Sequence, residues 1–235
     1  MSEFGRSKEE FLNTFLELPN GIPSKDTIRR VFTLIDSTVF EQCFVEWVSS
    51  IADLSKGQVL VIEDKTLRGA KANGRKSPIH MVSAWACQNN SVLGQVGTAA
   101  KSNVITAIPE LLELLNIEQT TITIDAMGTQ KEIAQKIVAK KADYILAVKE
   151  NQKQLLQNIK DQFRFSKQVA SDTKQDIAHG RIETRICSVI SEFQFLHDNK
   201  DGASLKSVVK IENTREFKNS NNPIEKATGY YISSL

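Results

Sequence analysis

The 235-residue sequence predicts a mixed α/β sheet with helices on its faces, a small helical region before it and a β-rich part after it. Three observations predict this. Short aliphatic runs at Val59–Ile62, Thr121–Ile124 and Tyr144–Val148 read as buried strands. Between them lie helical stripes such as Val104, Ile108, Leu111 and Leu115, or Ile133, Ala134 and Ile137. Two β-rich runs, Ile79–Gln88 and Val92–Thr98, flank an Asn-rich turn and read as a hairpin.

The first helix is expected over 7–18, where Phe11, Phe15 and Leu18 recur at helical spacing, and Pro19 to Pro23 breaks it. Ser24 is a suitable N-cap for a second helix carrying Ile28, Val31, Phe32 and Ile35. Asp36-Ser37 restarts a third, whose stripe of Phe40, Phe44, Trp47, Val48 and Ile51 is read as core. Arg29 and Arg30 are read as a solvated helix face. The helix over 103–116 contains Pro109, which kinks it or delays its start. Further helices are expected over 129–141 and 151–165. Ser166–Ala178 is polar and reads as a loop, followed by strands at 181–186, 205–211 and 230–233. The expected parts are therefore a helical region 1–54, a core 55–165 and a β-rich continuation 166–235.

Composition narrows the function. With 40% hydrophobic and 25% charged residues the chain is an ordinary globular protein, and a net charge of +2 makes it no general polyanion binder. Cys43, Cys87 and Cys187 are odd in number and far apart, which argues for reduced thiols rather than disulfides or a cysteine zinc site. His80 stands alone and is read as structural or exposed. No 18-residue apolar run and no signal pattern is present, so a cytoplasmic protein with no membrane partner is expected.

Chemistry concentrates in two stretches. The strand Val59–Ile62 ends in Glu63 and Asp64, and the segment after it holds Lys65, Arg68, Lys71, Arg75 and Lys76 with no acid. The strand Thr121–Ile124 ends in Asp125. Parallel neighbours would bring both tips to one sheet edge, where open α/β sheets build their sites. Carboxylates for a metal beside Lys and Arg for phosphate suit phosphodiester chemistry. The alternative is structural, with acids capping turns and a solvated basic loop. A small-molecule enzyme is disfavoured, since neither a Gly-rich phosphate loop nor a nucleophile elbow occurs.

Seven motifs carry a family likeness: Asn20-Gly21-Ile22-Pro23-Ser24, Lys65-Thr66-Leu67-Arg68-Gly69, Lys101-Ser102-Asn103, Ile105 to Glu110, Ile124-Asp125-Ala126-Met127-Gly128, His179-Gly180-Arg181-Ile182-Glu183 and Tyr230 to Leu235. Together, in order over nearly the whole chain, they resemble the ISAs-type insertion-sequence transposases, which include the H-repeat-associated proteins. Those are similar to the wider DDE transposases, so the resemblance implies a ribonuclease-H-like fold. It also implies DNA transposition, with DNA at insertion-sequence ends as partner and Mg2+ (or Mn2+) held by three carboxylates. Asp125 matches the second family acid. The first falls on Glu63, with Asp64 where the family has glycine; Glu63 or Asp64 would serve. The family's third acid lies on a helix beyond the Tyr230–Leu235 motif, and Glu183 is a stand-in from another motif. The front is also shorter than in family members, and Lys25 stands where they usually have His. The chain is accordingly expected to be truncated at both ends and catalytically incomplete. The alternative is a non-catalytic fragment that binds DNA or pairs with intact transposase, or a homo-oligomer.

Overall fold

The computed structural model describes residues 1–51, 56–67, 71–72, 75–76, 79–98, 104–166, 169–178, 180–196, 202–218 and 223–235, with the backbone alone for 49–51, 71–72, 75–76 and 79. Two compact units emerge, Met1–Glu46 and Trp47–Leu235. No described helix is long and apolar enough to cross a membrane. Cys43, Cys87 and Cys187 are free.

The first unit is helical. The single helix expected over 7–18 is instead two short ones, α1 (Ser2–Ser7) and α2 (Glu9–Leu12). Ser24 caps α3 (Lys25–Leu34) by accepting from Thr27 N at 3.1 Å. Asp36 Oδ1 accepts from Thr38 N and Val39 N at the start of α4 (Ser37–Ile51). The stripe expected as core is core only in part: Val48 is buried, as is Val45, while Phe40 and Trp47 are exposed, as are Val31 and Phe32 of α3. Forty-six residues in short helices bury too little surface to cover every stripe. The aromatics pair locally instead, Phe11 with Phe15 at 5.4 Å and Phe32 with Phe40 at 5.8 Å between centroids. Arg29 lies on a solvated face, paired with Asp26.

The second unit is built on a nine-stranded sheet in the order β5-β4-β1-β6-β7-β11-β10-β9-β8. Its strands are β1 (Val59–Leu67), β4 (Ile79–Ala86), β5 (Ser91–Thr98), β6 (Thr121–Ile124), β7 (Asp143–Val148), β8 (Ala170–Ala178), β9 (Arg181–Ile190), β10 (Ser207–Phe217) and β11 (Glu225–Ser233). A separate two-residue pair, β2 (Lys71–Ala72) and β3 (Arg75–Lys76), stands outside it. β4 and β5 form the expected hairpin, with Asn90 in the left-handed region at φ 49°. β1, β6 and β7 run parallel, joined by α5 (Val104–Leu114) and α6 (Lys131–Ala139). Helix α7 (Lys153–Phe165) follows β7. Pro109 sits within α5 without ending it. This is the mixed sheet with flanking helices that the sequence predicts.

The three helices share one face. α5 packs on β4 and β5 and touches α6, which lies against β7. Ile108 of α5 and Ile124 of β6 converge on Gly128, so α5 lies over the row Leu60, Ile62, Ile122, Ile124. These residues, with Val82, Ala84, Tyr144 and Leu146, are buried and form the core. Tyr230 pairs with Val148 in register and its ring meets Phe163 of α7, which puts α7 on that face too. The opposite face, with Val61, Thr123, Ile145 and Ala147, is half-buried.

β1 does not stop at Ile62. It pairs with β4 through Leu67, so Glu63 and Asp64 stand inside a strand, opposite Ser83 and Val82. Residues 170–178 form β8, paired along its length with β9. Every residue of β8 is exposed. With both faces in water, nothing selects alternating apolar residues, and the sequence looks like a loop. His80 is buried and its Nδ1 shares a hydrogen bond with Thr66 Oγ1 at 3.0 Å.

β8 to β11 extend beyond β7, which pairs only Ile145–Val148 with β11. Glu183 holds this extension together. It is bonded by Arg181 at 2.7 Å, Arg185 at 2.7 Å and Arg215 at 3.1 Å, and its side chain is 16% exposed. Partial desolvation pushes its carboxyl up, but the Arg181, Arg215 and Arg185 guanidiniums together hold it below the usual range.

The turn after β6 depends on Gly128. A Cβ there would collide with the Ile124 side chain and lie 2.9 Å from Ile108 Cδ1. Gly128→Ala should therefore cost about 1–3 kcal/mol through overpacking. Urea unfolding should show a lowered midpoint at an unchanged slope; an unchanged midpoint would mean that the turn is not held against α5.

Candidate nucleic-acid processing site

Pairing decides which acids meet. β1 and β6 run parallel with Val59 to Ile62 opposite Thr121 to Ile124. The residues that follow this paired stretch are Glu63 and Asp125, and the Asp125 backbone is still extended (φ −65°, ψ 161°). Adjacent strands lie about 4.8 Å apart, and side chains alternate between faces. Continued one step, the alternation predicts Glu63 on the face of Val61 and Asp125 on that of Thr123. Asp64 belongs to the face of Ile62 and Ile124, on the helix side. At this level the sheet forks, because β1 continues along β4 while β6 turns away at Asp125.

Asp125 caps a 3-10 turn, Ala126–Gly128. Its Oδ1 accepts from Ala126 N and from Lys149 Nζ, the latter at 2.8 Å. Among the described residues Oδ2 has no partner. The Lys149 hydrogen bond lowers the Asp125 carboxyl most; desolvation raises it, and Ala126 N and the Lys149 charge add to the lowering. Both side chains stay open to solvent, Asp125 at 62% and Lys149 at 66%, so ions and ligands can reach the pair.

The sequence reading missed Lys149. It follows Val148 at the end of β7 much as Asp125 follows Ile124 at the end of β6, and that parallel was the available signal. The segment after it locks the Asp125 turn. Asn151 Nδ2 donates to Ala126 O at 2.8 Å, Gln152 Nε2 donates to Thr129 O, and Thr129 Oγ1 donates to Ala147 O at 2.6 Å. Asp125, Lys149, Asn151, Lys160 and Tyr230 line one open cleft at this edge.

Of the basic cluster, Lys65 is exposed and alternates onto the face of Glu63. Lys71 pairs with Lys76 in register and Ala72 with Arg75. Arg68 lies outside the described residues. Glu183 is removed from the acids: it lies on β9, with β11 and β10 between it and β7, and three arginines occupy it. Among the described residues no group of three or more His, Cys, Asp or Glu is placed to hold a metal ion.

A sheet that runs as three antiparallel strands, β5, β4 and β1, and then two strands parallel to β1, β6 and β7, is that of a ribonuclease-H-like protein. The chain belongs to the family described as "Transposase DDE domain", whose model matches residues 28–210. A second model, described as "DDE_Tnp_1-associated", matches residues 1–48. "Putative transposase YncI" of Escherichia coli O157:H7 is 44% identical over all of this chain and 62% of its own length. The K12 protein of the same name is 49% identical over 79% of this chain and 77% of its own. "H repeat-associated putative transposase YhhI" of strain K12 is 38% identical, covering 82% of this chain and 53% of that protein. The chain thus spans between about half and three-quarters of the length of these relatives. A cryo-EM structure of a piggyBac transposase synaptic complex with hairpin DNA covers the chain with a TM-score of 0.44 and 13% identity, a likeness too slight to carry an argument.

Removing the Lys149 ammonium should let the Asp125 carboxyl rise toward its ordinary value of 3.8. A folded value below the unfolded one contributes stability above about pH 3.8, which is lost as pH falls through the folded value. Carbon-detected NMR titration of the protein and of Lys149→Met tests this. Identical Asp125 titrations would show that the 2.8 Å contact does not govern the carboxyl.

Proposed function

We propose that this chain acts on phosphodiester bonds of insertion-sequence DNA in the cytoplasm, with Glu63 and Asp125 as its metal-holding acids. What supports this is the parallel register of β1 with β6, which ends at Ile62 opposite Ile124, the residues directly before Glu63 and Asp125. A bound Mg2+ or Mn2+ supplies charge to activate a water or 3′-hydroxyl and to stabilise the leaving oxygen. The donor set fits a hard divalent ion, since both groups are carboxylates and Asp125 already holds a cation, Lys149, as a stand-in. Glu63 is the better partner for Asp125, because Asp64 belongs to the other face of β1. Lys65, Lys149 and Lys160 would contact DNA phosphates, joined by Arg68, Lys71, Arg75 and Lys76.

A second reading is favoured by one observation: among the described residues no group of three or more His, Cys, Asp or Glu is placed to hold a metal ion. Two acids hold one divalent ion and leave a second weakly bound against its neighbour's charge. In that reading the chain binds transposon ends, alone or with a second copy or an intact relative, and does not cut. Loss of positioning and of charge stabilisation each lowers rate by orders of magnitude.

A gel assay with transposon-end duplex and Mg2+ or Mn2+ separates the two. The first reading predicts metal-dependent nicking that Asp125→Ala abolishes; binding without nicking would overturn it and establish the second. Binding itself should be salt-sensitive and largely independent of sequence. Neutralising three of Lys65, Arg68, Lys71, Arg75 and Lys76 should flatten the salt slope by roughly two to three units. An unchanged slope would return this cluster to a solvated loop.

A further inference from the structure

Lys149 is the one cation bonded to Asp125 among the described residues, and it approaches from a fixed direction. The β6 and β7 register puts Ala147 one step past Leu146, level with Asp125, and Lys149 two residues further along the same face. Its backbone is extended (φ −130°, ψ −170°), and the next three residues form a 3-10 turn. Asn151 and Gln152 in that turn bond the turn after Asp125. The Lys149 backbone is thus anchored beside the carboxylate, while its side chain is 66% exposed and keeps the freedom of a four-carbon stem.

The two ends of the Asp125 carboxylate differ. Oδ1 is taken by Lys149 Nζ and Ala126 N, while Oδ2 is open among the described residues. A divalent cation arriving at this carboxylate would sit within a few ångströms of a positive ammonium. Like charges that close repel, and the divalent ion doubles the repulsion. Departure of the ammonium relieves this repulsion as the ion binds. Once free it lies in a cleft lined also by Lys160, Asn151 and Tyr230, where an anionic strand would meet it.

We propose that Lys149 is an internal counter-ion switch: it neutralises Asp125 in the metal-free protein, is displaced by the divalent ion, and then turns to a DNA phosphate beside that ion. This rests on the metal-holding role proposed for Asp125 and adds a coupling between metal and DNA. A side chain that competes with the ion in the free protein and pairs with DNA in the loaded one makes each ligand favour the other. It also keeps the carboxylate compensated when neither ligand is present.

The test reads the amine directly. The chain is acylated with limiting N-hydroxysuccinimidyl acetate, with and without saturating Mg2+, and labelling of Lys149 is measured by peptide mass spectrometry against the exposed Lys174. Mn2+ binding is followed in parallel by the loss of free-ion EPR signal. Labelling of Lys149 relative to Lys174 should rise at least threefold with Mg2+ and fall again when a short DNA duplex is added. Asp125→Asn should give high labelling that Mg2+ no longer changes. Lys149→Gln should bind Mn2+ about two- to fivefold more tightly without DNA, the range of an exposed ion pair. Mn2+ binding that depends on Asp125, with Lys149 labelling unmoved by Mg2+, would overturn the switch alone. Mn2+ binding indifferent to Asp125→Asn would overturn the proposed metal role and the switch with it.

Discussion

The four-residue parallel register between β1 and β6 is the constraint on which the rest of this molecule depends. It sets Ile62 beside Ile124, and the proposed pairing of Glu63 with Asp125 follows from it. A slip of one residue would reverse every side chain of β1 and bring Asp64 to Asp125 instead. What resists the slip is burial. Leu60 and Ile62 are buried, as are Ile122 and Ile124, and Ile108 of α5 reaches the same side. Exchanging them for the polar residues of the other face would expose aliphatic side chains, each worth roughly 1.5–3 kcal/mol when buried. The hydrophobic face beneath the helices thus holds the register that leads into these acids.

The surroundings reinforce that choice. β4 continues the antiparallel pairing of β1 past Glu63, so the acid is carried on a paired strand rather than a loose end. On the other side, the Lys149 to Gln152 segment bonds the turn after Asp125 at three points. β7 is held in turn by β11, and the backbone of Tyr144 donates to Ser234 Oγ, which donates to Asp143. Positioning passes through these contacts from the β-rich region to the fork. The arginines around Glu183 belong to that region's own support, which is why Glu183 is a poor stand-in for a third acid.

Much of this was legible in the sequence, and the failures have physical causes. The strands β4, β5, β6 and β7 and the helices α5 to α7 carry clear periodicity because one face of each is buried. Asp125 could be singled out because β6 is four apolar or β-branched residues followed by an acid and a glycine-containing turn. The choice between Glu63 and Asp64 was not legible, since adjacent positions differ only in face and the register lies in a partner 60 residues away. The end of β1 was missed for a related reason: past Ile62 its pairing with β4 holds polar residues in strand form. β8 left no trace because it is exposed throughout. Lys149 left only its position after a strand, which many lysines share, and the fold alone shows the carboxylate it faces.

The claim that Glu63 and not Asp64 shares a face with Asp125 has a direct measurement. With Cys43, Cys87 and Cys187 changed to Ser, the pairs Glu63→Cys/Asp125→Cys and Asp64→Cys/Asp125→Cys are oxidised and their cross-linking compared. A disulfide needs Cα atoms about 4.4–6.8 Å apart with side chains directed toward each other. The β1–β6 register predicts rapid intramolecular cross-linking at 63 and 125 and little at 64 and 125. The reverse result would place Asp64 on the face of Asp125 and contradict the site described here.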